Sequence, residues 1–71
     1  MTYELWESTG GNLIAAFATR ERALAAVRKE LDGGTNADVS TWLLLREDKK
    51  GEVRSVAAGQ ELIELAMRAI A

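Results

Sequence analysis

The chain has 71 residues, of which 48% are hydrophobic and 28% charged, and its net charge is −2. It contains neither cysteine nor histidine. Disulfides are therefore excluded, and a structural zinc site or a histidine-based catalytic centre lacks its usual side chains. The mildly acidic balance disfavours a dedicated nucleic-acid binder, which typically carries a basic surplus.

The first half of the chain predicts a β-hairpin followed by a helix. Strands are expected over 3–8 and 13–18, and the glycine pair Gly10-Gly11 between them suits a tight turn that needs positive φ. Thr19 is a suitable N-cap for a helix over 20–31, because its hydroxyl can accept a hydrogen bond from the first turn.

The second half predicts the same sequence of elements. The pair Gly33-Gly34 ends the first helix, and one of these glycines is expected in the left-handed conformation. A strand over 42–47 is apolar on both faces, which is typical of a central strand. A charged strand over 52–58 suits a sheet edge, and an apolar helix follows over 59–70.

The two halves share one pattern. Residues 3–31 superimpose on 42–70 at a constant offset of 39 without a gap, although only Leu5/Leu44 and Ala18/Ala57 are identical. The pattern predicts an α+β fold in a single domain, 1–71, with the order ββαββα. We expect a four-stranded, mostly antiparallel sheet with both helices packed on one face.

The chain carries more apolar surface than a monomer of this size is expected to bury. A domain this small hides only about 60% of the surface of its unfolded chain, and oligomerisation often supplies the missing burial. The last helix has an apolar arc of about 200°, against about 100° for an ordinary surface helix. Either Leu43 and Leu45 or Trp42 and Leu44 must also lie on the sheet face that the helices leave open.

This excess favours a contact surface, most simply that of a homodimer, with a different protein as the alternative partner. The candidate interface residues are Trp6, Trp42, Leu43 and Leu45 on the sheet and Leu62, Leu65, Met67 and Ala69 on the last helix. The simpler alternative is that these side chains are exposed singly, or covered by the loop over 33–41.

No residue pattern favours catalysis, a cofactor or a metal. Glu47, Asp48 and Glu52 cluster around the second turn and could in principle hold a hard cation, but two lysines stand between them. Glu7 and Glu47 could each approach another carboxylate across strands, as a glycosidase-like pair requires, yet 71 residues leave little room for a substrate cleft. We therefore expect a protein that is not an enzyme.

Nucleic-acid binding is the rival hypothesis. Arg22, Arg28 and Lys29 lie on the first helix, and an exposed tryptophan could stack on bases while arginine contacts phosphate. Acidic side chains interleave with these cations, which is typical of an ordinary solvated surface. The N-terminal residues lack the features of a signal peptide, no apolar run is long enough to span a membrane, and a cytoplasmic location is expected.

The runs YELWESTGGNLIAAFATRERALAAVRKEL, LLLREDKKGEV and AAGQELIELA resemble a type of short bacterial domain. That type has a Tyr-Glu-Leu-Trp start, a Gly-Asn hairpin, a phenylalanine before the first helix and a Gly-x-x-Leu final helix. The resemblance spans nearly the whole chain and departs from the type over 32–40. It implies a free-standing ββαββα unit with no catalytic residues. The sequence thus predicts a non-catalytic interaction module, homodimeric and bacterial.

Overall fold

The computed structural model describes residues 1–34 and 39–69, with side chains up to Arg68. The elements are β1 (Thr2–Glu7), β2 (Asn12–Phe17), α1 (Arg20–Gly33), β3 (Trp42–Glu47), β4 (Val53–Ala58) and α2 (Gly59–Ala69). The predicted α+β class and ββαββα order are confirmed. The predicted end of the last helix, residue 70, lies outside the described residues.

The four strands form one antiparallel sheet in the order β2-β1-β3-β4. The two inner strands are the first strands of the two hairpins, and Leu5 lies directly opposite Leu44 between them. We call this β1/β3 ladder the seam. The prediction that β3 is central and β4 lies at an edge is confirmed, because β3 pairs on both sides and β4 on one.

Both helices cover one face of the sheet. The core joins residues of the inner strands and β4 to the facing sides of α1 and α2 and to Val39, which precedes β3, and every member is buried. Its residues are Leu5, Ala23, Leu24, Val27, Val39, Leu44, Ala57, Leu62, Ile63 and Ala66. Burying one Leu or Val side chain stabilises a fold by about 1.5–3 kcal/mol, so this cluster is the main source of stability.

Val39 was not predicted as a core residue. It falls in the stretch that the sequence assigns to a loop, yet its side chain is 0% exposed. A single valine without periodic apolar neighbours carries no helix or strand signal, so the sequence offers no way to recognise its burial.

The second strands of the two hairpins do not obey the repeat offset of 39. Ala15 lies opposite Leu5, whereas Ala57 lies opposite Leu44, which is an offset of 42. The ungapped superposition is therefore wrong in this strand. The cause is a longer second turn, after which β4 runs directly into α2, while Ala18 and Thr19 separate β2 from α1.

Each edge strand also contains a β-bulge, which breaks the alternation predicted for it. Ile14 is the extra residue of β2, since Ala15 pairs with Leu5 and Leu13 pairs with Trp6. Leu13 therefore shares the face of Trp6 rather than that of Ala15, contrary to the prediction. A bulge adds one residue to one strand, so side chains beyond it change faces.

A β-bulge of the same kind occurs in β4. Ala57 pairs with Leu44 and Ser55 pairs with Leu45, so Val56 is the extra residue. Val56 and Ala57 both pack on the core as a result. Strict alternation had placed these two side chains on opposite faces.

Glycines set the tight connections. Gly11 and Gly51 lie in the hairpin turns with φ of 68° and 83°, as expected for turn glycines, and Gly59 starts α2 with φ of 55°. The expectation of a left-handed glycine after α1 was wrong. Gly34 has an extended φ of −132°, and its N–H donates to the Glu30 carbonyl, so the helix end is satisfied without that conformation.

Thr19 caps α1 as predicted. Its φ of −132° is extended, and its Oγ1 accepts a hydrogen bond from the Arg22 N–H at 3.2 Å. The cap satisfies one of the free donors of the first turn, which fixes where the helix begins.

Candidate interaction surface

The sheet face opposite the helices, which we call the open face, carries a continuous line of apolar residues. In an antiparallel ladder, directly paired residues project to the same side. Leu13 pairs with Trp6, Trp6 with Leu43, and Leu43 with Ala58. These four residues form one row across all four strands, the apolar row. Leu13 is 49% exposed, and Trp6 and Leu43 are half-buried.

The open face has a second row of paired residues, which lies two residues along the strands from the apolar row, or about 6.6 Å from it. Its members follow from the same ladders and are Ala16, Glu4, Leu45 and Ser55. Beyond it, Thr2, Glu47 and Val53 complete the face, and Val53 is 51% exposed. The open face is thus apolar at one end and mixed at the other.

The charges of the open face have one sign. Glu4 and Glu47 are its charged residues, and the four described strands place no lysine or arginine there. Oε1 of Glu4 accepts a hydrogen bond from Nε1 of Trp6 at 3.1 Å. This bond connects the two rows along β1, so Trp6 presents its apolar ring with its one polar atom satisfied.

The structure decides between the two alternatives for β3. Leu43 and Leu45 lie on the open face, because they pair with Trp6 and Glu4. Trp42 lies on the helix-covered side and packs against the core cluster. The placement of Trp42 on an exposed contact surface is corrected accordingly, since its neighbour Leu44 is buried on the same side.

The last helix offers less free surface than its wide apolar arc suggests. Leu62 is 0% exposed and belongs to the core, so it is not a surface residue, contrary to the prediction. Leu65 is half-buried and packs on the same cluster. The arc is wide because α2 contacts α1 as well as β3 and β4, and each neighbour covers part of it.

Met67 is the exposed apolar residue of α2 among its described side chains, at 47%. Nη1 of Arg28 lies 2.8 Å from its sulfur, so the two helices also meet at this point. The side chain of Ala69, another predicted contact, lies outside the described residues.

The three cations proposed for nucleic-acid contact lie on α1. Arg22 and Lys29 are exposed, whereas Arg28 is half-buried and its Nε lies 3.3 Å from Asp32. Since α1 packs on the face opposite the apolar row, these cations and Trp6 lie on opposite sides of the sheet. One bound strand therefore cannot stack on Trp6 and contact these cations across the same surface.

The carboxylates considered for catalysis or metal binding organise the hairpin turns. Oδ1 of Asp48 accepts from the Lys50 and Glu52 N–H groups at 2.8 and 3.0 Å. The Glu7 carboxylate accepts from the Gly10 and Thr9 N–H groups at 2.7 and 2.8 Å, and these bonds lower its pKa from the usual 4.5. Each turn is fixed by one acidic side chain.

Neither Glu7 nor Glu47 lies directly opposite another carboxylate in the described strands. Glu7 lies opposite Trp42 on the helix-covered side, and Glu47 lies opposite Thr2 on the open face. On their other sides Glu7 lies opposite Asn12 and Glu47 lies opposite Val53.

Other kinds of site find no support in the part of the chain that the structure describes. Residues 1–34 and 39–69 enclose no pocket and contain no cluster of acidic side chains arranged to hold a metal ion. Within the same residues, neither helix combines the length and apolar character needed to cross a membrane. The open face is the feature that the fold itself leaves unexplained.

The chain matches no protein-family model, and searches of curated proteins and of solved structures also give no match. The functional argument therefore depends on the residues and geometry of the chain alone.

Proposed function

We propose that this chain is a non-catalytic interaction module that associates with a second copy of itself through the open face. The observation that carries the proposal is the apolar row, which crosses all four strands on the face that the helices leave uncovered. Trp6, half-buried at the centre of the row, is of the residue type that contributes most to protein interfaces, and Leu43 beside it adds apolar area.

The sheet edges are poorer candidates for association than the face. Another strand would have to add its backbone hydrogen bonds along β2 or β4. Each of these edges contains a bulge, at Ile14 and Val56, and bulges twist an edge strand away from such pairing. Apolar side chains on the face need no continuous ladder, so face-to-face packing meets no such obstacle.

The size of the face sets the expected strength of association. Four strands of six residues span about 19 by 20 Å, or about 400 Å² of projected area for each copy. A standard stable interface buries about 800 Å² for each partner. We therefore expect a weak dimer that dissociates on dilution, rather than an obligate one.

The test is molar mass by light scattering over a hundredfold dilution that starts near 1 mM. We expect the mass to fall from about twice the chain mass of 7.7 kDa towards that of one chain. A mass of one chain at about 1 mM would overturn the proposal, because it limits the association free energy to less than about 4 kcal/mol.

Two charge substitutions locate the surface. Leu43→Glu places a carboxylate in the middle of the apolar row and should abolish the dimer. Met67→Glu is the matched control on α2, because Met67 is exposed and its neighbour Arg28 can pair with the new carboxylate. The dimer should survive this change. If Met67→Glu abolished the dimer and Leu43→Glu left it intact, the contact would lie on the last helix instead. Circular dichroism of both variants checks that they remain folded.

The second candidate function, nucleic-acid binding, is favoured by the exposure of Arg22 and Lys29 on α1. The dependence of binding on salt concentration distinguishes nucleic-acid binding from self-association. Binding to phosphates weakens steeply as salt rises, because counterions are released on binding. Self-association of a face that carries only carboxylates should not weaken, since salt screens the repulsion between the copies. Titration of generic DNA and RNA at low and high salt measures the difference.

We place this function in a bacterial cytoplasm. The resemblance to short bacterial domains supports this setting, and a chain without cysteine is compatible with a reducing compartment. Expression as a fusion with a compartment-specific reporter in a bacterial host would test the location.

A further inference from the structure

We propose that Arg46 and Arg54, near the turn of the second hairpin, form a binding site for a phosphate monoester. The two arginines lie on the helix-covered side of the sheet, because Arg46 is directly paired with Tyr3, which packs against the core cluster. The site is therefore separate from the open face. This inference goes beyond the proposed self-association and does not depend on it.

The register of the second hairpin brings two like charges together. Arg46 of β3 and Arg54 of β4 are directly paired, so their Cβ atoms lie about 4.5–5.5 Å apart on the same side of the sheet. Like charges in this arrangement destabilise a sheet. An anion between the two guanidinium groups replaces this repulsion by two attractions.

The guanidinium group of Arg46 is free to bind a ligand. Arg46 is half-buried, and among the described residues its side chain makes no hydrogen bond or ion pair. The same residues contain no buried side-chain nitrogen without a partner, so the nitrogens of Arg46 are in contact with solvent. A guanidinium carries five N–H donors and no acceptor, which suits an oxyanion.

Arg54 has a partner that a stronger anion can displace. Its Nη2 lies 3.7 Å from Oε2 of Glu52, and the two side chains are 72% and 62% exposed. Ion pairs that are this exposed stabilise a protein little. A phosphate that contacts both arginines therefore replaces Glu52 at small cost.

The hairpin turn fixes the two arginines before a ligand binds. Arg46 precedes Asp48 by two residues, and Arg54 follows Glu52 by two. Between these positions Oδ1 of Asp48 accepts from the N–H of Glu52 at 3.0 Å, and the N–H of Asp48 donates to the Glu52 carbonyl at 2.9 Å. A site that is already ordered loses less entropy when it binds.

The charge and the number of oxygens favour a phosphate monoester over other anions. At pH 7 this group carries about −1.5 to −2 charges and three acceptor oxygens, which matches two guanidinium groups on neighbouring strands. A carboxylate has one charge and is satisfied by a single guanidinium fork. Tyr3, opposite Arg46 on its other side, adds a hydroxyl donor whose present acceptor, the Met1 sulfur at 3.6 Å, is a weak one.

Titration with inorganic phosphate, followed by the amide signals in NMR spectra, tests the site. The signals of residues 46 and 54 should shift and saturate, with chloride at equal ionic strength as the reference. Arg46→Gln should weaken binding by about tenfold or more, since it removes hydrogen bonds to a charged group. Arg54→Gln, at a more exposed position, gives the same test if Arg46→Gln affects folding. Glu52→Gln should tighten binding, because it removes the competing carboxylate.

Lys29→Gln is the control, because it removes one positive charge from an exposed position on α1. This variant should bind phosphate like the parent. Loss of binding in Lys29→Gln but not in Arg46→Gln would place the anion on α1 and overturn the proposal. A titration that does not saturate at about 10 mM phosphate, ten times the dissociation constant of about 1 mM of a weak site, would also overturn it.

Adenosine monophosphate and generic RNA without terminal phosphates distinguish the possible sources of the phosphate. The monophosphate should bind at least as tightly as inorganic phosphate, because half-buried Tyr3 and Phe17 continue the same row and can contact its base. The RNA should bind more weakly, since each internal phosphate carries one charge. If the RNA bound more tightly and lost this affinity in Arg46→Gln, the site would be one for nucleic acid and the monoester would be wrong.

The Leu43→Glu variant separates this proposal from that of self-association. Leu43 lies on the open face, whereas the arginine pair lies on the other side of the sheet. Leu43→Glu should therefore bind phosphate like the parent while it remains monomeric. Loss of phosphate binding in this folded variant would show that the site requires the open face, and the proposal would be overturned.

Discussion

The junction between β4 and α2 makes a strong prediction about Gly59. Its φ of 55° lies in the left-handed region, and a Cβ atom added there would lie 3.1 Å from the carbonyl oxygen of Ser40. The left-handed conformation costs an L-residue about 1–2 kcal/mol. The backbone oxygen adds a contact that little can relieve, so Gly59→Ala should lower the free energy of unfolding by about 2–3 kcal/mol.

Two other glycines distinguish the backbone conformational contribution to this loss of unfolding free energy from the steric contribution. Gly51 has φ of 83° but nothing within 4 Å of an added Cβ, so Gly51→Ala should lose only the conformational term of about 1–2 kcal/mol. Gly33 lies in α1 without positive φ and also has nothing within 4 Å. Gly33→Ala should leave stability unchanged or raise it by up to about 1 kcal/mol.

Urea denaturation followed by tryptophan fluorescence measures all three variants. The midpoints should shift while the m-value stays constant, which shows that the change is one of stability. The order expected from least to most stable is Gly59→Ala, Gly51→Ala, Gly33→Ala. If Gly59→Ala were as stable as Gly51→Ala, the close approach to Ser40 would not constrain the junction, and the reasoning would fail.

Three further predictions concern the core, a cap and a turn. Leu44→Ala should lower the free energy of unfolding by about 2–5 kcal/mol, because Leu44 is 0% exposed. Leu43→Ala on the open face should lower the free energy of unfolding of the monomer clearly less. Denaturation of both variants at dilute protein concentration compares the two losses. Thr19→Ala should cost about 1 kcal/mol through loss of the cap bond to Arg22, whereas Thr19→Ser should keep most of it, and equal losses would contradict the role of the cap. The Glu7 carboxylate has a lowered pKa, so its contribution to stability is present above pH 4.5 and is lost as the pH falls through the lowered value. Glu7→Gln should therefore be less stable than the parent at pH 7 and approach it at acidic pH; a constant difference across this range would be the contrary result.

The order of elements could be predicted from the sequence because the signals are local. The turn glycines, the Thr19 cap and the double-sided apolar strand β3 each act within a few residues. The faces of the edge strands could not be predicted. A bulge at Ile14 or Val56 depends on the register with a distant strand, and a strict period of two cannot represent it.

The candidate surface was predicted in part. Leu43 and Leu45 could be named, but only as one of two alternatives, because a strand that is apolar on both faces does not show which face is covered. Leu62 was misplaced for a related reason. The width of an apolar arc does not reveal how many neighbours share it, and α2 has both α1 and the sheet.

The seam has a consequence for how the molecule can be divided. Each half of the chain contains its own hairpin and its own helix. In the described residues, the two hairpins are joined into one sheet by the main-chain hydrogen bonds of the β1/β3 ladder. An isolated hairpin is marginally stable at best, so neither half should persist alone. Two fragments separated between α1 and β3 should nevertheless reassemble when mixed. A single half also carries a leucine at the midpoint of its exposed inner strand, so it presents to a copy of itself the same leucine-to-leucine pairing that Leu5 and Leu44 make in the intact chain.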